Sequence, residues 1–482
     1  MSRSTVADVV VDGLRRAGTP RLFAVVGAPA DLPLLDAARA AGLSITLAAS
    51  EIGACVMAAV TGDLVDAPGA VVIGAGAAVS AAASAVAGVT GDRAPMILLT
   101  SGHPTAVTGC KETLEAEAET AAHRIAHAAR LSMTMPRGPV HLDIAADVAG
   151  RAAVPLATSC RPDALPYPDA EALDRAAQAL ADASRPLLLA GIHCRSDDAA
   201  QWLRAFAEAL PAPLMATTRA KGALPDPHPL MLGVLGLAGV EERLVSRADL
   251  VVAIGLDALE PVPALCWSTR PVLAFGPAPL PHGLVPAAHV LGDVAAAIEE
   301  LAVRLRDKPR ADWDVAELDR LRREATARST GDDLAARIVR LAREATPAGT
   351  IGTVDAGEYQ TCVTGAWHAI APREFLTSGA TSGFALPAAI AAHLVHSERR
   401  VVCFTDAAGV TAAARELETA ARLTAAVVVV VFDDCGAGAP DSMKLARDSG
   451  VRAFAADSEG KFAEALGRTL RTGGPAVIAV RP

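Results

Sequence analysis

At 482 residues, the chain is long enough for two or three domains with hydrophobic cores. It is 52% hydrophobic, only 3% aromatic, and carries a formal net charge of −10. This composition favours packed parallel α/β layers, and it argues against nucleic acid as a partner because a polyanion would be repelled.

The sequence gives no sign of a membrane-spanning or secretory segment. No apolar run reaches the roughly 18 residues that a spanning helix needs, and the first residues lack a secretory pattern. The eight cysteines are scattered, and Cys55, Cys266 and Cys403 lie in apolar surroundings. They are typical of small buried residues in a reducing compartment, so we expect a cytoplasmic protein without membrane contact.

Strand-like and helix-like stretches alternate in three blocks, 1–153, 169–306 and 330–482. This rhythm predicts an α/β protein with three doubly wound parallel-sheet domains. A proline-rich linker, 154–168, joins the first two, and a charged surface helix is predicted within 304–328. The predicted strands are Leu22–Val26, Ile45–Ala48, Ala70–Ile73, Met96–Leu99, Val140–Ile144, Leu187–Leu189, Leu214–Ala216, Leu250–Ile254, Val272–Phe275, Val401–Phe404, Val427–Phe432 and Ala476–Val480.

Two aspartate-containing turns in the third block follow apolar strands that one helix joins. The first strand runs into Thr405-Asp406-Ala407, and the second ends at Asp433-Asp434. A strand–helix–strand unit is nearly always right-handed and parallel, so both carboxylates face one edge of the sheet. Two carboxylates beside small residues suit a divalent cation that also holds phosphate oxygens. The alternative is that these residues only cap strands and helices.

Glu51 is a second candidate because it follows an apolar run and opens a helix. On spacing alone, a first-turn carboxylate that favours the helix dipole explains it better than catalysis does.

Motifs along nearly the full length resemble the thiamine-diphosphate (ThDP) enzymes of the acetolactate synthase and 2-oxoacid decarboxylase group. That family orders its domains as pyrimidine-binding, middle and diphosphate-binding. The motifs that carry the resemblance are Gly27-Ala28-Pro29, Glu51-Ile52-Gly53-Ala54, Gly74-Ala75-Gly76-Ala77, Lys221-Gly222-Ala223-Leu224-Pro225, Asp355-Ala356-Gly357, Gly379 to Ala389, and Asp406 followed by Asp434.

The resemblance implies roles for individual residues. Glu51 would be the catalytic residue that hydrogen-bonds the aminopyrimidine of ThDP and promotes its imino tautomer, and a carboxyl group held protonated by burial suits that task. Magnesium would be held by Asp406, Asp434 and Gly436. The cofactor-binding positions would be Gly27, Ala28, Pro29, Gly74, Gly76, Asp355, Gly357, Gly379, Ser382, Phe384 and Ala407.

The same resemblance implies decarboxylation or carboligation of a small 2-oxo acid, which makes the chain a lyase or a transferase. It also implies a homodimer or homotetramer, because the family's site lies between two subunits. FAD is not expected, because the arginine that the flavin-binding members carry after the matching strand is absent after Gly255, where Leu256-Asp257-Ala258 stands.

Several positions depart from the family pattern. Thr405 and Ala407 replace glycines, Asp433-Asp434 replaces an asparagine pair, and Ser382 replaces a bulky apolar residue. The segments after Asp434 and between residues 100 and 137 are short. These departures support a rival hypothesis, a ThDP-fold homologue without catalysis that acts as a binding or regulatory subunit.

Four basic or histidine residues have ordinary explanations that we prefer. We interpret His103 as a loop residue and His141 as structural. Arg219 and Lys221 are more simply solvated surface charges than ligands of an anion.

Overall fold

The computed structural model describes residues 4–481, except for 26, 28, 103, 238, 267–269, 279, 281–282, 306–310, 332, 380, 382 and 434–440. It contains three six-stranded parallel sheets flanked by helices, which confirms the predicted α/β fold class. Most central strands are buried on both faces, as continuous apolar runs in parallel sheets require.

The first sheet has the strand order β2-β1-β3-β4-β6-β5. Its strands are β1 (Arg21–Ala24), β2 (Ser44–Leu47), β3 (Gly69–Ile73), β4 (Met96–Thr100), β5 (Thr113–Glu115) and β6 (Pro139–Asp143). The helices are α1 (Val6–Arg16), α2 (Leu32–Ala40), α3 (Glu51–Val65), α4 (Ala77–Gly91) and α5 (Ala121–Met133). Thr5 and Asp8 form a capping box at the start of α1.

The second sheet has the order β12-β11-β10-β7-β8-β9. Its strands are β7 (Pro186–Ala190), β8 (Leu214–Ala216), β9 (Met231–Val234), β10 (Leu250–Ile254), β11 (Val272–Gly276) and β12 (Ala288–Leu291). The helices of this region are α6 (Ala170–Asp182), α7 (Asp197–Ala209), α8 (Glu241–Arg247), α9 (Val294–Arg304) and α10 (Val315–Thr330).

The third sheet has the order β14-β13-β15-β16-β18-β17. Its strands are β13 (Ile351–Val354), β14 (Phe375–Thr377), β15 (Val401–Asp406), β16 (Val427–Phe432), β17 (Arg452–Ala456) and β18 (Ala476–Val480). The helices are α11 (Leu334–Glu344), α12 (Gln360–Ala366), α13 (Ala385–Val395), α14 (Ala407–Ala412), α15 (Ala414–Arg422), α16 (Ser442–Asp448) and α17 (Glu459–Thr472).

Contacts within the chain group its residues into two compact units. One comprises Met1–Ala164, Thr353–Gly357 and Ser378–Pro482, and the other comprises Leu165–Gly352 and Glu358–Thr377. Within the first unit, α3 packs against α13, so the first and third blocks share one body. The three-domain boundaries drawn from the sequence stay a prediction.

All twelve predicted strands are present, with ends that differ by no more than two residues. The charged helix predicted within 304–328 exists as α10, and Leu318 and Leu321 of its apolar stripe are buried. The strands β5, β9, β12, β13, β14 and β17 were not predicted. Most of these are short or lie at sheet edges, where periodicity gives little signal. No helix in the described part of the chain is long and apolar enough to cross a membrane.

Candidate functional site

Each sheet reverses its strand order at one point, and ligands of such sheets bind beyond the carboxyl ends of the two flanking strands. The flanking strands are β1 and β3 in the first sheet, β7 and β10 in the second, and β13 and β15 in the third. A polar residue or a glycine lies at the end of each of the six strands or within three residues after it, so the three points can be compared directly.

At the third sheet, Asp355 follows β13 and is buried. Its Oδ1 accepts a hydrogen bond of 2.8 Å from the Ala385 amide at the start of α13, and its Oδ2 accepts one from the Thr405 hydroxyl. Burial raises the pKa of the Asp355 carboxyl to about 6, although these hydrogen bonds oppose the shift. Asp355 therefore ties β15 to the start of α13.

Asp406 ends β15 and caps α14. Its Oδ1 accepts a hydrogen bond of 2.7 Å from the Gly409 amide. A Cβ added to Gly357 would lie 3.1 Å from Asp406 Oδ2, so Gly357 borders the other carboxylate oxygen. Within the described residues, this second oxygen has no hydrogen-bond or ion-pair partner. Asp406 as a whole is half-buried.

Gly409 allows these groups to approach closely. A Cβ there would lie 2.2 Å from Thr405 Oγ1 and 2.4 Å from Asp355 Oδ2, distances that no side chain tolerates. These residues fit a hard cation, because Asp406 Oδ2 lies beside Gly357, which has no side chain and leaves room for phosphate.

The remaining predicted positions of the third block are only partly described. Ser382, Asp434 and Gly436 lie outside the described residues. Phe384 is buried, whereas Gly379 is exposed and Ala407 half-buried. Among the described residues there is no cluster of three or more potential metal ligands of the His, Cys, Asp or Glu type.

The first sheet presents glycines and Glu51 at the equivalent edge. The strands β2, β1 and β3 are adjacent, and their ends are level because Ala24 pairs with Leu47 and with Val72. The predicted positions that follow these ends are Gly27 and Pro29 after β1, Glu51 after β2, and Gly74 and Gly76 after β3. Ala28 and His103 lie outside the described residues.

Glu51 is the first residue of α3 and is half-buried. The cap of this helix is Ser50, whose hydroxyl accepts a hydrogen bond of 3.0 Å from the Gly53 amide. Within the described part of the chain, the Glu51 carboxyl makes no hydrogen bond or ion pair. The helix is thus capped by Ser50 and does not need Glu51 for this task.

A residue that the sequence did not single out lies behind this turn. The Glu416 side chain on α15 is fully buried, and its Oε1 accepts a hydrogen bond of 2.7 Å from the Ser50 hydroxyl. In the sequence it looked like one of several charges on a helix. Its place on the buried stripe of Ala413, Leu417 and Ala420 was the available signal.

At the second sheet, Glu260 fills the space beyond β7 and β10. Its carboxylate accepts hydrogen bonds from the Ile192 and Asp257 amides at 3.0 Å and from the Thr217 hydroxyl. Asp257 in turn lies 2.9 Å from His193 Nε2, and both side chains are buried. Burial raises the pKa of Glu260 despite these donors.

Two interpretations of basic residues can be compared with the structure. Lys221 is buried and pairs with Asp226 at 2.6 Å, so its preferred interpretation as solvated charge was wrong. The short spacing between Lys221 and Asp226 allows this pair, which the sequence did not reveal. His141 is buried between Thr100, at 2.8 Å, and Thr113, at 3.2 Å, as expected of a structural histidine.

Three domain profiles of thiamine pyrophosphate enzymes match the chain. The N-terminal TPP binding domain matches residues 4–123, the central domain 173–301 and the C-terminal TPP binding domain 355–439. The chain therefore belongs to the thiamine pyrophosphate (ThDP) enzyme family.

Particular relatives lie in the group that the motifs indicated. The chain is 27% identical to the catabolic acetolactate synthase of Raoultella terrigena over 98% of its length and 94% of that protein. It is 25% identical to the acetolactate synthase of Bacillus subtilis, with 98% and 92% covered. It is 28% identical to a Pseudomonas aeruginosa protein assigned as a 2-ketoarginine decarboxylase, with 90% and 83% covered. These matches support a general ThDP-enzyme function.

The fold is also that of a solved structure from Mycobacterium smegmatis, described as a candidate thiamin diphosphate-dependent enzyme. The TM-score is 0.84 at 22% identity, with all of both chains covered. At this identity the likeness shows the fold alone.

Proposed function

We propose that the chain is a ThDP- and magnesium-dependent enzyme that decarboxylates a small 2-oxo acid or transfers the remaining fragment to an acceptor. In this proposal Glu51 is the catalytic residue, and Asp406, Asp434 and Gly436 hold magnesium. The predicted glycine turns approach the cofactor, and two or four copies of the chain assemble to complete each site.

The observation that carries the proposal is the Asp406 carboxylate oxygen at the reversal point of the third sheet, which has no partner among the described residues. Its other oxygen is engaged with Gly409, at 2.7 Å, which fixes the carboxylate orientation. A fixed carboxylate oxygen next to a glycine is a good ligand for a cation that also holds phosphate. Acetolactate synthases, with which the chain aligns over almost its whole length, supply the reaction class.

Bound ThDP supplies a nucleophilic carbon and an electron sink for the loss of CO2 from a 2-oxo acid. The protein contributes position and proton control. Glu51 would hold a proton against a pyrimidine nitrogen, and its lack of another partner in the described chain supports that role. Asp355 and Thr405 keep β15 and α13 in place, so that Asp406 keeps its direction.

We also propose that the middle domain binds no FAD. The strand ends β7 and β10 leave no space, because a Cβ on Gly191 would lie 2.4 Å from Gly255 O and from Leu256 Cα. Glu260 and Asp257 add carboxyl groups at this point, and a pyrophosphate would be repelled by any negative charge they carry.

The proposal is tested by titrating the purified protein with ThDP, with and without magnesium, in a calorimeter. Saturable binding that requires magnesium is expected. A panel of 2-oxo acids is then assayed for release of CO2 and for carboligation products. Glu51→Gln should retain the fold and lose turnover by roughly 100-fold or more, as expected for loss of a general acid–base residue. No ThDP binding by the wild-type protein contradicts the proposal.

A rival function has one specific observation in its favour. Thr405 stands where the family has a glycine, and its hydroxyl is bonded to Asp355. A chain that has closed this turn could serve as a binding or regulatory subunit instead. The rival predicts that cellular function survives the Glu51→Gln change, whereas the enzyme hypothesis predicts its loss.

A further inference from the structure

Glu416 is a buried carboxylate that the proposed mechanism does not use. It lies on α15, in the third block of the chain, yet its carboxyl group contacts the turn between β2 and α3 in the first block. Both blocks belong to the same compact unit. Burying a carboxylate is costly unless hydrogen bonds compensate it, so the contacts that hold Glu416 are informative.

The carboxylate is bound to the two residues that precede Glu51. Its Oε1 accepts a hydrogen bond of 2.7 Å from the Ser50 hydroxyl, and its Oε2 lies 3.5 Å from the Ala49 amide nitrogen. The same Ser50 oxygen accepts a hydrogen bond from the Gly53 amide. Ser50 thus links Glu416 to the first turn of α3, and its side chain has both its donor and an acceptor engaged.

Gly53 makes room for this arrangement. A Cβ at position 53 would lie 2.2 Å from Glu416 Oε1 and 2.5 Å from Glu416 Cδ. The carboxylate therefore rests directly on the backbone of α3. A negative charge there is favourable because the amino-terminal end of a helix carries partial positive charge.

These contacts take over the task that a first-turn carboxylate often performs. With Ser50 capping the helix and Glu416 near its positive end, Glu51 has no hydrogen bond or ion pair within the described chain. Its backbone is nevertheless fixed at the point where the helix begins. We propose that Glu416 is a positioning residue that orients Glu51 toward its ligand by clamping the Ala49–Ser50 turn. This inference rests on the proposed role of Glu51.

The test uses the full-length protein and isosteric changes. Glu416→Gln removes the charge but keeps the size. Its matched control is Glu418→Gln on the same helix, because Glu418 is exposed. We expect Glu416→Gln to lower kcat about tenfold to 100-fold with little change in KM, since a small misplacement of a reacting group has effects of this size. Glu418→Gln should behave as wild type.

A double variant separates positioning from general damage. If Glu416 acts through Glu51, adding Glu416→Gln to Glu51→Gln should lower kcat no further, because the group it positions is already gone. An equal loss in both backgrounds overturns the inference. The inference is also overturned if Glu416→Gln keeps the wild-type kcat while Glu51→Gln is inactive. Wild-type activity of Glu51→Gln instead overturns the proposed function, and the inference with it.

One further readout does not depend on activity. Amide hydrogen exchange of residues 49–55, measured without ThDP, should be faster in Glu416→Gln than in Glu418→Gln, and equal rates contradict the clamp. Should Glu416→Gln fail to fold, Ser50→Ala breaks the same hydrogen bond from the other side. Its control is Ser196→Ala, which removes a similar helix cap from α7. Wild-type kcat in Ser50→Ala overturns the inference.

Discussion

The reversal points of the second and third sheets contain similar residues, but their carboxylates differ in how many hydrogen bonds they accept from the protein. Each has glycine near a strand end, a threonine hydroxyl and a pair of acidic side chains. In the second sheet, Glu260 accepts hydrogen bonds from two amides and a hydroxyl, and Asp257 is held by His193. In the third, Asp406 accepts a hydrogen bond from one amide, and its other oxygen has no partner among the described residues.

The difference shows that the identity of a residue does not reveal whether its site is used. A carboxylate whose acceptor capacity is filled by the protein acts as an internal tie. One with unused capacity at an open edge can bind a cation. The number of donors that the protein supplies to each carboxylate is therefore the feature that distinguishes the two reversal points.

The largest effect should come from removing the charge at the open site. Asp406→Asn keeps a side-chain oxygen that can cap α14, so the helix should persist. We expect affinity for ThDP in the presence of magnesium to fall at least about 100-fold, because a neutral amide is a much poorer magnesium ligand. Calorimetric titration measures this. Asp448→Asn, an exposed change in the same domain, is the control, and unchanged affinity in Asp406→Asn would assign the metal elsewhere.

A smaller effect, on the free energy of unfolding, should come from adding a methyl group at the reversal points of the second and third sheets. Gly191→Ala places its Cβ against Gly255 and Leu256 backbone, which cannot move aside, and should destabilise by about 3 kcal/mol. Gly409→Ala meets two tied side chains and should cost about 1–3 kcal/mol.

The control for both is Gly460→Ala on α17, where an added Cβ meets nothing within 4 Å. Alanine there should stabilise the helix by up to about 1 kcal/mol. Urea unfolding followed by circular dichroism compares the three variants. Equal behaviour of Gly409→Ala and Gly460→Ala would show that the third edge is looser than its geometry indicates.

The smallest effect is a pH dependence from the closed site. Burial raises the pKa of Glu260 above its ordinary 4.5, so the folded chain keeps a proton that the unfolded chain has lost. Wild-type stability should therefore fall as the pH rises from about 4.5 to the raised pKa. Glu260→Gln has no such proton. Its melting temperature relative to wild type should increase across that window, and a constant difference would mean that Glu260 does not titrate there.

The sequence predicted the fold because strand and helix periodicity is a local property. The runs Val401–Phe404 and Val427–Phe432 are long, apolar and bounded by polar residues, and both are strands. The same pattern placed Asp406 at the end of a strand, here β15, and Glu51 after another, here β2. What could not be predicted were contacts between distant residues. Glu416 and Ser50 are 366 positions apart, and nothing near either one indicates the other.

The same limit explains Thr405. Thr405 was interpreted as the loss of a glycine, yet its hydroxyl serves Asp355, fifty residues earlier. Lys221 was misjudged for another reason: its partner Asp226 is only five positions away, but spacing alone does not show that the two pair in a buried place. A charge pair removes both members from water together, and only the folded structure shows that this has happened.

The first compact unit is built from chain segments that are far apart in sequence, and this has a consequence for biosynthesis. Helix α3 is apolar around most of its circumference, and α13, one of the helices that bury it, is translated some three hundred residues later. At roughly 5–20 residues per second, the nascent chain carries this uncovered surface for tens of seconds. Efficient production of the protein should accordingly depend on ribosome-associated chaperones, and slowing elongation through the middle block should raise the yield of aggregates.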